Sequence, residues 1–71
     1  MPQEIVSDLV ANVIKIMVVP GDRVEAGDTI ALLESMKMEI PVLAEEPGQV
    51  SEVTVAEGDV VQEGDVLAIV D

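Results

Sequence analysis

Two stretches of the chain carry the same order of apolar, glycine and acidic positions. Residues 13–34 and 50–71 align without a gap, pairing Val13 with Val50, Val18 with Val55, Gly21 with Gly58, Asp22 with Asp59, Val24 with Val61, Gly27 with Gly64, Asp28 with Asp65 and Ala31 with Ala68. Apolar residues replace one another around them, as in Ile16/Val53, Ile30/Leu67, Leu32/Ile69 and Leu33/Val70. Two copies are too few for a solenoid, which needs about three repeats to bury a continuous core. They predict instead two half-domains facing each other across a pseudo-twofold axis.

Each copy reads as strand, turn, short extended piece, turn, strand. Gly-Asp at 21–22, 27–28, 58–59 and 64–65 supplies positive-φ tolerance and a side chain that bonds nearby backbone, which is turn chemistry. The runs 29–33 and 66–70 are short, apolar and bounded by turns, as buried strands are. Ile5, Val6, Leu9, Val10, Val13, Ile16 and Met17 also fit a helical stripe. The second copy decides for a strand: Gln49-Val50-Ser51-Glu52-Val53-Thr54-Val55 alternates and is rich in β-branched residues, and both halves of a duplication share a fold. That alternation turns Ile16, Val18, Val53 and Val55 inward and leaves Lys15 and Glu52 in water. Gly or Pro interrupts the chain repeatedly from Pro20 onward, leaving little room for a helix. The expected fold is all-β: a flattened barrel or sandwich of seven or eight short strands over residues 1–71, one domain, its core built from Val, Ile and Leu without aromatics.

Charge narrows the partners. Of 71 residues, 15 are acidic and three basic, a formal charge of -12. Nucleic acid and anionic lipid both attract clustered Lys and Arg, so neither is an expected partner. The acidity serves solubility or attracts a basic protein surface. No cysteine or histidine is present to bridge, to bind a soft metal or to act as a base, and no metal site is expected. No membrane-length apolar run and no signal peptide are visible, which points to a soluble cytoplasmic protein. Met1 and the lack of a linker point to a complete protein.

Between the copies stands Glu34-Ser35-Met36-Lys37-Met38-Glu39-Ile40-Pro41. One apolar strand ends at Leu33 and another begins at about Glu39, so residues 35–38 form a tight hairpin. As the junction of two related halves, it is expected near the symmetry axis at one extremity. Two methionines displayed there are unusual, because large apolar side chains are normally buried.

Glu-Ser-Met-Lys-Met-Glu resembles the attachment site of the biotinyl/lipoyl domain family, biotin carboxyl carrier type, in which a lysine stands between two methionines. The resemblance covers nearly the whole chain, including the Gly-Asp-x-Val-x-x-Gly-Asp turns and Ala44…Gly48-x-Val50, and is nearest to small stand-alone biotinylated proteins of actinobacteria. It implies a flattened β-barrel of two four-stranded sheets, a barrel-sandwich hybrid, with biotin joined by an amide to Lys37. Ser35 replaces the commoner alanine. Asp8-Leu9-Val10-Ala11 replaces a frequent Pro-Met-x-Gly, so the first loop is expected to differ, and no protruding thumb is inserted.

Catalysis at neutral pH calls for a positioned acid or base, usually histidine, or for a nucleophile beside one. Ser7, Ser35 and Ser51 have no such neighbour, and the chain is expected to be a carrier without chemistry of its own. Met36 and Met38 are expected to present an apolar shape to the ligase; Glu34, Ser35 and Glu39 flank the site, the two glutamates as recognition points or merely as solvated charges. The resemblance implies biotin protein ligase, a biotin carboxylase and a carboxyltransferase as partners, with carboxyl groups passed to an acyl-CoA or α-keto acid. Two alternatives are a lipoyl carrier, whose lysine typically follows Asp and precedes Ala, and an unmodified structural or adaptor β-domain.

Overall fold

The computed structural model describes residues 2–71; Met1 lies outside them. Eight strands follow in order: β1 (Gln3–Val6), β2 (Ala11–Ile16), β3 (Arg23–Val24), β4 (Thr29–Ser35), β5 (Met38–Leu43), β6 (Gly48–Val53), β7 (Val60–Val61) and β8 (Val66–Val70). The stretch that also fitted a helical stripe forms β1 and β2 with a bend at residues 8–10 between them, and no helix occurs among the described residues. The strands make two four-stranded antiparallel sheets, ordered β1-β8-β6-β3 and β5-β4-β2-β7.

The offset that relates Gly21 to Gly58 also relates β1 to β5, β2 to β6, β3 to β7 and β4 to β8. Backbone bonds repeat with it. The Gly58 N–H donates to the Val13 carbonyl and the Gly21 N–H to that of Val50, both at 2.8 Å; Ser7 donates to Asp65 and Ala44 to Asp28, both at 2.9 Å. The structural correspondence therefore continues upstream of residue 13, where Ile5 answers Val42 and buried Ser7 answers buried Ala44 although identity has been lost. Within each copy the short strand leaves its own sheet: β7 pairs with β2 and β3 with β6.

Four turns hold this exchange. Gly21, Gly27, Gly58 and Gly64 have φ of 90–99°, a left-handed geometry glycine adopts freely. The aspartate after each accepts a bond on Oδ2 from an earlier amide: Asp22 from Val19 at 3.0 Å, Asp28 from Glu25 at 2.8 Å, Asp59 from Ala56 at 2.9 Å and Asp65 from Gln62 at 2.8 Å. Both halves of the Gly-Asp pattern thus do what turn chemistry requires.

Simple alternation fails at two places per copy. In β4 and β8 a register shift buries two successive residues, Ile30 with Ala31 and Leu67 with Ala68. β2 bulges between Val13 and Lys15 against β4, and β6 between Val50 and Glu52 against β8. Each bulge puts two successive residues outside, Ile14 with Lys15 and Ser51 with Glu52, and lets Val13 and Ile16 both face inward. Val18 is buried; Ile16, Val53 and Val55 are half-buried against the core. One apolar cluster joins Ile5, Val18, Val24, Ile30, Ala44, Val50, Ala68 and Val70; a second joins Ala11, Val13, Leu33, Val61 and Leu67. Aliphatic side chains and alanines fill both.

The pseudo-twofold operation carries the β4–β5 hairpin onto the paired chain ends, where Gln3 faces Val70. A turn on the axis would map onto itself. The hairpin is therefore off the axis, at one end of the second sheet, correcting the expectation from its central place in the sequence.

A glycine pair tests this packing. A Cβ on Gly48 would lie 2.3 Å from the Asp71 carbonyl oxygen, whereas a Cβ on Gly58 meets nothing within 4 Å and carries only the strain of φ +94°. Gly58→Ala should lower stability by about 1–2 kcal/mol. Gly48→Ala should cost more, about 2–3 kcal/mol, by pushing β6 off the chain end it bonds. Chemical denaturation of the two variants gives the ranking, and equal losses would contradict it.

Candidate functional site

β4 and β5 pair from Thr29 with Leu43 up to Ser35 with Met38, leaving Met36 and Lys37 as a two-residue loop. Both have positive φ, 53° and 65°. Positive φ at both central positions marks the type I′ turn, whose twist suits a two-residue hairpin and which prefers Asn-Gly. A left-handed conformation costs a residue other than glycine about 1–2 kcal/mol. Methionine and lysine thus occupy this turn against the backbone's preference, and such strain collects where something other than folding selects the residue.

Met36 is 91% exposed and Lys37 is exposed beside it. Among the described residues the one ion pair joins Arg23 to Glu25 at 3.8 Å, so Lys37 has no carboxylate partner there. Met38 begins β5 and shares the inward side of Ile40 and Val42, yet is 61% exposed because it stands past the end of the core. Ser35 closes the loop and is half-buried. Glu34 and Glu39 lie directly opposite each other on the outer side, both in water. Like charges in a facing cross-strand pair are destabilising.

All six residues singled out from the sequence, Glu34 to Glu39, thus meet in one hairpin. Their backbone strain and the opposition of the two glutamates are properties of the paired strands. Two exposed apolar residues that sequence reading passed over, Val10 and Val60, stand at the same end of the sheet. Comparing the copies position by position offers the signal for one of them, since Val60 answers Arg23.

The arrangement offers a primary amine on a narrow projecting tip with an apolar side chain on either side. A groove of about 170 Å³ between the β1 and β5 edges, lined by Ile5, Asp8, Leu9, Ile40 and Pro41 among others, does not include Lys37. An amide-linked carboxylic acid such as biotin fits these residues, because the amine is reachable and the attached group can project freely. No helix among the described residues is long and apolar enough to cross a membrane.

Known proteins share both the frame and the sequence. The chain is 49% identical over 70 residues to a "Biotinylated protein TB7.3 homolog" of Mycobacterium leprae, covering 99% of each chain. It is 52% identical over 59 residues to a "Biotin/lipoyl attachment protein" of Bacillus subtilis, covering 83% of this chain and 81% of that one. The crystal structure of the Kluyveromyces lactis urea carboxylase contains a region that superposes on the whole chain with a TM-score of 0.94 at 32% identity, within 6% of that protein's length. A family model described as "Biotin-requiring enzyme" matches residues 1–70, and the chain belongs to that biotin/lipoyl family.

Proposed function

We propose that the protein is a biotin carboxyl carrier in which Lys37 holds the cofactor and partner enzymes perform the chemistry. The observation that carries this reading is the hairpin tip: Lys37 in a strained positive-φ turn, exposed, between two exposed methionines. Lys37 Nζ forms an amide with the carboxyl carbon of biotin once a biotin protein ligase has activated that carboxyl; the nitrogen gives up a proton and the carboxyl its leaving group. When bound, biotin supplies a ring nitrogen that accepts and releases a carboxyl group. The chain contributes reach and presentation. The paired arms of β4 and β5 hold the tip away from the sheets, and the open loop lets a biotin carboxylase and then a carboxyltransferase enclose it.

Kinship with biotinylated proteins and with a urea carboxylase region supports biotin-dependent carboxylases as partners, and similarity to an acyl-coenzyme A carboxylase subunit and a pyruvate carboxylase favours the acyl-CoA or pyruvate type. The protein is read as cytoplasmic, without catalysis of its own, and as one attachment domain. The lipoyl reading is weaker, because methionine stands on both sides of Lys37 where Asp and Ala are typical of lipoyl sites.

Lys37→Arg should abolish biotin attachment while leaving the melting curve within about 0.5 kcal/mol of the parent, as surface substitutions usually do. Intact mass after incubation with ligase, biotin and ATP reads this, and a retained biotin mass would reject Lys37. Replacing Met36→Asp with Met38→Ala should sharply slow labelling in a domain that still folds; an unchanged rate would make the methionines packing residues. Installing the preferred turn, Met36→Asn with Lys37→Gly, should stabilise the fold by about 1–2 kcal/mol. A drop in melting temperature would show that the native pair serves folding.

A further inference from the structure

The duplication supplies an internal control for surface residues: what the fold requires at a position, it requires in both copies. On the outer face of the second sheet, one cross-strand row runs from edge to edge. Glu39 faces Glu34, Glu34 faces Asn12, and Asn12 faces Val60. All four side chains are exposed, Val60 at 61%. The related row on the first sheet runs Asp71, Gln49, Arg23, joined by reciprocal 2.8 Å bonds between Gln49 and Asp71 and by the pairing of Gln49 with Arg23. Acid answers acid and amide answers amide, but valine stands where the other copy carries arginine.

β-structure at this position is therefore compatible with a long cation, and exposed Val60 is not required by folding. Its row lies at the hairpin end of the sheet, and so does Val10, 56% exposed, where the second copy has Pro47. Apolar surface and two facing carboxylates thus share the hairpin end of the second sheet, each at some cost in water or in repulsion.

We infer that the strip Glu39–Glu34–Asn12–Val60, with Val10 beside it, is the surface on which the enzyme that acylates Lys37 docks. This rests on the biotin reading of Lys37. The fitting partner face is a shallow apolar seat for Val60 and Val10 with Lys or Arg opposite Glu34 and Glu39. A second copy of this chain is a poor occupant, because each copy brings a charge of -12 and the same acidic pair. An arginine in place of Val60 would remove the apolar anchor and set a cation against cations, opposing docking twice.

The test exchanges residues between the copies. Val60→Arg, Val60→Thr and Arg23→Val are each biotinylated by a purified biotin protein ligase, with mass as the readout and melting curves alongside. Val60→Arg should raise the apparent KM for the protein about tenfold with kcat within about twofold, as expected for an interface anchor. Val60→Thr keeps the β-branched shape and should give a smaller rise in KM; if the arginine variant melts early, this one decides. Arg23→Val, on the other sheet, should match the parent. Unchanged KM in both Val60 variants, or a loss confined to kcat, would overturn the docking strip. So would a parent that sediments as a dimer dispersed by Val60→Arg with labelling intact, since the strip would then cover a second copy. A parent that gains no biotin mass would overturn the biotin reading and this inference with it, an outcome distinct from a labelled parent with indifferent variants.

Discussion

Val13 donates its amide to the Asp59 carbonyl, and Val50 donates to Asp22, both at 2.8 Å. These reciprocal bonds tie the first strand of each copy to the turn of the other. Because β3 and β7 have also changed places, neither copy owns a complete sheet. A chain of this length buries only about 60% of the surface it exposes when unfolded. Interlocking is what lets so small a chain enclose two aliphatic clusters without a disulfide or one aromatic side chain. The glycines at φ 90–99° and their aspartates follow from it, since each crossing needs a sharp turn whose amides must be paired.

A frame built by duplication gives the hairpin its freedom. The twofold operation maps the arms β4 and β5 onto β8 and β1, so the packing of the arms is shared by both copies. Leu33, fully buried two residues before Ser35, anchors the first arm, and continuous pairing with β5 stiffens the second. Rigidity thus stops at Ser35 and Met38, and the two residues beyond carry backbone strain and full exposure. Firm arms under an exposed tip suit the carrier role proposed for Lys37.

Acidity is distributed differently from apolar exposure. Carboxylates in the four Gly-Asp turns are occupied with backbone amides, whereas Glu34 and Glu39 face each other with no such role among the described bonds. Weak and transient contact is what a carrier needs, because it must leave each partner. The acidic and apolar strip proposed above would give direction to such contact.

The sequence by itself determined the repeat, the β class, the four turns and the Met-Lys-Met hairpin. Each depends on local chemistry: positive φ at Gly, Asp oxygens reaching back three residues, apolar runs cut to strand length. Registry was not legible in the same way. The bulges after Val13 and Val50 arise only when β2 meets β4 and β6 meets β8, and they overrule alternation by placing Ile14 and Lys15 together outside. The off-axis place of the hairpin depends on which strands pair, not on its position midway along the chain. Met38 turns inward by parity yet stays in water because the core ends before it. Val60 acquires its place in the row from Asn12 and Glu34, residues far away in sequence, so only the folded sheet could align it with the base of the hairpin.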